Sequence, residues 1–204
     1  MKRIVLMALL ALALPLAAFA GTVDFSNSGG TLTGSNAGLT LVGSQVTQAV
    51  GLGSGALGND GTLSFSTGTF VGTSGNVSTF NGGGSFTIVG NGINGVPSGT
   101  VFNGSFTSQV TLTLLKGGSL PNGSNTYAVE GSISGTWFNG STASGVTNQT
   151  WFGKFTTGED GFMGSSTLGS GETIVSTVPE PGTLGLLGTG LVGLAGVIRK
   201  KLKA

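Results

Sequence analysis

Six acidic side chains carry most of the reactive potential of residues 21–177: Asp24, Asp60, Glu130, Glu159, Asp160 and Glu172. The chain contains no Cys and no His. That removes the commonest general base and the commonest metal ligand. Ser-His-Asp catalysis, thiol nucleophiles and ordinary zinc sites are excluded. Carboxylate chemistry remains, either calcium binding or glycoside hydrolysis by two carboxyls facing one bond. Glu130 falls mid-strand on a polar face, and Glu159 and Asp160 are adjacent in a loop. Nothing in their spacing brings them together, so the expectation is a protein without catalytic residues, cofactor or metal. A carboxylate glycosidase is the minority alternative.

Trp137-Phe138 and Trp151-Phe152 are each preceded by Thr. Adjacent strand side chains point to opposite faces, so one ring of each pair belongs to the core and the other to the outer face. Trp137 and Trp151 are thus candidate glycan contacts, although coverage of both faces is the simpler expectation. Residues 58–63, Gly-Asn-Asp-Gly-Thr-Leu, resemble one unit of the Gly/Asp nonapeptide calcium repeat. Stacked turns share the ion in that repeat and no second copy follows, so Asp60 is expected to be a turn residue bonded to its own backbone. Asn76, Asn103, Asn122, Asn139 and Asn148 begin Asn-x-Ser/Thr triplets. The three with a central Gly, at 103, 122 and 139, read as hairpin turns.

The elements that must position these groups are strands. Gly accounts for 41 of 204 residues, which would suit disorder, but the twelve Phe argue for a packed core. Alternation is the recurrent pattern: Val110, Leu112 and Leu114 against Thr111 and Thr113, and Tyr127, Val129 and Ile133 against Ala128, Glu130 and Ser132. Asn-Gly pairs mark tight turns. The reading is one all-β, antiparallel sandwich or jelly-roll-like domain over residues 21–163, with a β-solenoid as the alternative fold. Residues 164–177 read as a Gly/Ser/Thr linker, with a further strand at Thr173–Val175 as the alternative. Lys116 and Lys154 against the six acids leave this body at −4, although the whole chain is +1. A nucleic-acid partner is therefore not expected.

Both ends differ from the body. Lys2 and Arg3, an apolar run from Ile4 and the Ala18-Phe19-Ala20 site make residues 1–20 a secretory signal peptide. At the other end Val178-Pro179-Glu180-Pro181 is a stiff elbow, because proline lacks a donor and extends its predecessor. A charge-free run follows, with a transmembrane helix expected over 183–198, and then the basic stop Arg199, Lys200 and Lys201. Its eight strongly apolar residues sum to on the order of −2 to −5 kcal/mol before its glycines are counted, which describes a weak anchor. The basic flank stays cytoplasmic, so the body lies outside.

Elbow, helix and basic end, over residues 178–204, resemble the PEP-CTERM sorting signal of exported Gram-negative proteins. The resemblance implies an exosortase as partner, with Pro179, Glu180 and Pro181 as its recognition residues. It also implies Sec export, transient contact with inner-membrane lipid, and release to the surface or an exopolysaccharide matrix. The combined expectation is a non-enzymatic structural or adhesive surface protein, with a carbohydrate-binding module or polysaccharide-acting enzyme as the alternative.

Overall fold

The computed structural model describes residues 21–118, 124–158 and 161–177, together with Gly190 and Gly193, both helical. Residues 22–177 form one compact unit. Its twelve strands are β1 (Thr22–Ser28), β2 (Thr31–Ser35), β3 (Gly38–Val50), β4 (Gly61–Ser66), β5 (Phe70–Ser74), β6 (Val77–Phe80), β7 (Gly83–Asn91), β8 (Ser98–Phe106), β9 (Val110–Lys116), β10 (Asn125–Trp137), β11 (Thr142–Gly158) and β12 (Gly161–Thr177).

Following the hydrogen-bonded neighbours gives a closed circuit: β3, β4, β7, β8, β10, β11, β12, β2 and back to β3. This is an eight-stranded antiparallel barrel, not the expected sandwich. The solenoid alternative also fails, because every ladder is antiparallel. Closure depends on long strands that change partner part-way. β10 pairs with β9 over Thr126–Glu130 and with β8 over Ile133–Trp137. β12 pairs with β2 over Gly164–Thr167 and with β1 over Gly171–Ser176. Beyond β9, the strands β6 and β5 extend the sheet as a flap. Alternation marks which side chains face inward. It carries no information on whether the facing wall is a second sheet or the same sheet returning.

The expected linker at 164–177 is likewise corrected: these residues belong to β12, which pairs along its length with β11. Its glycines are there for close approach. A Cβ on Gly164 would collide with the Lys154 carbonyl, and one on Gly171 with the Gln149 amide. Composition alone makes such a strand look like a tether.

Phe25, Phe80, Phe86, Phe102 and Trp151 are fully enclosed. Phe65 stacks on Phe86 at 5.8 Å, and Phe106 meets both edge-on. Full burial of each such ring contributes about 1.5–3 kcal/mol. The interior also holds a polar layer. Asn27 Nδ2 donates to Ser44 Oγ and Gln149 Oε1, both at 2.8 Å, and Gln149 Nε2 donates to Thr147 Oγ1 at 2.8 Å. These reciprocal bonds hold β1, β3 and β11 in register across the lumen.

The expected signal peptide and transmembrane helix, with nearly all of the sorting segment, lie outside the described residues. Among the described residues no helix is long and apolar enough to cross a membrane.

Candidate functional site

Antiparallel pairing places register partners on the same face of a sheet. On the outer wall this builds one polar row across six strands: Gln48, Ser26, Glu172, Asn148, Glu130 and Thr111. Asn148 Nδ2 donates to Glu130 Oε1 at 3.1 Å. Asp24 lies beside Glu172. As a hydrogen-bond partner first, and then as a like charge, it raises the Glu172 carboxyl above its ordinary value, with a small contribution from desolvation.

Three of the six acids therefore meet on one wall, a grouping that spacing in the sequence did not reveal. Their separations decide what they can do. Glu130 and Glu172 stand two strands apart, about 9–10 Å at ordinary strand spacing. That backbone spacing is beyond the about 5–5.5 Å between carboxyls of a retaining glycosidase and at the upper edge of the about 6.5–9.5 Å of an inverting one. Asp24 and Glu172 are close enough to bond to one another, which leaves no room for a sugar bond between them. Among the described residues no three acids form a metal cage. Glu159 and Asp160 lie outside the described residues.

Asp60 is buried rather than displayed on a turn. Its Oδ1 accepts from Asn94 Nδ2 at 2.8 Å instead of from its own backbone, and its Oδ2 is enclosed without a partner. Asn94 has a φ of 53°, and its carbonyl accepts from Ser54 N at 2.9 Å. Asp60 thus ties the loop 51–60 to the loop 92–97.

The aromatic pairs split as strand geometry demands, with the indoles inside. Trp137 packs on Phe25 at 6.0 Å and Phe102 at 6.4 Å, and Trp151 is fully buried. Neither is available to stack on a glycan, so that assignment is corrected. The larger ring of each pair fills the lumen, and Phe138 and Phe152 face outward.

A small aromatic pocket forms elsewhere, under the flap. Tyr127, Phe155 and Phe162 floor a cavity of about 130 Å³ with Leu112 and Leu114, and Thr73, Asn76 and Ser78 rim it. Tyr127 and Phe155 meet edge-on at 5.1 Å. The Tyr127 hydroxyl accepts from Asn125 Nδ2 at 2.9 Å. Tyr127 and Phe155 were legible only as strand residues, because the cavity depends on the β9–β10 pairing. Among the described residues no acid lines it.

Of the Asn-Gly-Ser/Thr triplets, Asn139 is a turn residue whose Oδ1 accepts from Ser141 N at 3.0 Å. Asn103 instead lies within β8, opposite Thr136 and Thr87, so its expected turn is corrected. Asn122 lies outside the described residues.

No curated protein and no solved structure matches this chain. The model of the PEP-CTERM protein-sorting motif matches residues 177–200, beginning on the last residue of β12. The match covers the elbow Pro179-Glu180-Pro181, the apolar run and the first two basic residues of the stop. The chain accordingly carries the PEP-CTERM protein-sorting motif, the mark of an exported protein targeted to an exosortase.

Proposed function

We propose that this is an exported surface or exopolysaccharide-matrix protein with a structural or adhesive role and no enzymatic activity. An exosortase recognises Pro179, Glu180 and Pro181, cleaves near them and frees the barrel after Sec export and transient anchoring in the inner membrane. The observation that carries the reading is the sorting motif joined directly to a closed barrel on whose outer wall Asp24, Glu130 and Glu172 lie, apart from the residues that line the aromatic pocket. Its mechanism is presentation of a weakly acidic, hydrogen-bonding wall of Ser, Thr and Asn rows. Fractionation and intact-mass measurement in a host with and without its exosortase test it. The expected mature C-terminus lies near Pro181 and depends on the exosortase. A C-terminus at Ala204 in both hosts would overturn the processing.

One observation favours a second reading, a carbohydrate-binding module. The Tyr127–Phe155 floor and the Thr73, Asn76 and Ser78 rim offer a ring face and hydrogen-bonding groups to the end of a glycan. Titration with neutral oligosaccharides should then shift the methyl resonances of Leu112 and Leu114. Unmoved methyls rule this reading out.

A further inference from the structure

β1 begins and β12 finishes at the same end of the barrel, with Thr22 opposite Ser176. Three connections share that end. Val50, opposite Asp24, leads into the loop 51–60, and a Cβ on Gly51 would collide with the Thr22 carbonyl. The loop 92–97 is bonded to it through Ser54 and Asn94. The turn after Trp137 is held by the Phe138 N–H donating to the Val101 carbonyl at 2.8 Å. These segments expose Leu57 (78 %), Val50 (50 %), Phe138 (46 %) and Ile93 (44 %). Residues 51–59, 92–101 and 138–142 contain no charge. Asp60 is buried, and Asp24, opposite Val50, is half-buried with its Oδ1 enclosed.

Four residues, 178–181, separate Thr177 from the apolar run that starts at Gly182. Even fully extended they span only about 13–14 Å. The apolar run implied by the motif is therefore tethered by no more than that length to Thr177, at the end of the barrel that carries these side chains. We infer that this end of the barrel is a lipid-docking surface: its loops enter the bilayer interface around the point where the sorting segment inserts. The inference rests on the anchored reading of the tail. Uncharged apolar loops gain from burial among headgroups and acyl chains and need no anionic lipid. The anchor is weak, so docking supplies a second attachment, and cleavage of the tail leaves the barrel with the loops alone.

The absence of Cys makes the test direct. Single substitutions Ile93→Cys, Phe138→Cys, Val71→Cys and Met163→Cys are made in the full chain and labelled with an environment-sensitive fluorophore. Met163 is fourteen residues up β12 from Thr177, about 45 Å along the strand. Each chain is reconstituted into vesicles of zwitterionic phospholipid, some carrying a lipid-tethered quencher. Docking predicts a blue shift and quenching at 93 and 138, neither at 71 and 163, and no change on adding salt or anionic lipid. Chains that float with the vesicles while all four labels stay unquenched overturn docking but leave the anchor standing. Labels at 93 and 138 that quench one another between chains, and not with lipid, overturn it in favour of a second copy at this face. Chains that fail to float overturn anchor and docking together.

Discussion

At the residue scale, the acids are sorted by what surrounds them. Glu172 bonds to Asp24, so its carboxyl titrates above its ordinary value of 4.5. The fold then holds more protons than the unfolded chain as pH rises from that value towards the raised one, so stability falls across this window and is fully present below it. Glu172→Gln should flatten that slope, as measured by the midpoint of thermal unfolding at successive pH values from acid to neutral. An unchanged slope would mean that the two carboxyls do not interact. Asp60 is the opposite case, a buried group with a single partner. Asp60→Ala should destabilise by about 1–3 kcal/mol, because it strands the Asn94 amide between two loops. Urea unfolding reads this, and a variant as stable as the parent would show that the tie is dispensable.

At the element scale, β12 carries the largest consequence. It was expected to end a domain with a loose tether, yet it pairs with β11, β1 and β2. Gly171 packs against Gln149, which belongs to the buried polar layer with Asn27 and Thr147. Gly171→Val should therefore cost about 1–3 kcal/mol through overpacking against that network, visible as a lower denaturation midpoint. The same change in a true linker would leave the midpoint where it was. Little of this strand was legible, because Gly, Ser and Thr satisfy a ladder and a tether equally well. The strands around Val110 and Tyr127 were legible from apolar alternation, although Ala128, read on the polar face, is buried as well. In the pairs Trp137-Phe138 and Trp151-Phe152, alternation required one ring inside, and packing volume chose the indoles.

At the scale of the whole molecule, the first and last strands meet, so the barrel closes only when the chain is nearly complete. A chain ending at residue 163 would lack most of β12 and leave β1, β2 and β11 each with one unpaired edge, since β1 and β2 would keep only β3 and β11 only β10. Open edges of that kind pair with other chains. The truncated protein should elute as aggregate on size exclusion, while a chain ending at Thr177 should elute as a discrete folded species. Equal behaviour of the two would contradict closure by β12.

The export and sorting address, the all-strand character of the body and the exclusion of His- and Cys-based chemistry follow from the order and types of the residues. They depend on local stiffness, local hydropathy and the mere presence of functional groups. Barrel closure, the meeting of Asp24 with Glu172, the inward turn of the indoles and the recruitment of 164–177 into a strand were settled by tertiary structure alone. Each is a contact between residues distant in the chain, and alternation records only which face a side chain takes, never which strand lies beside it.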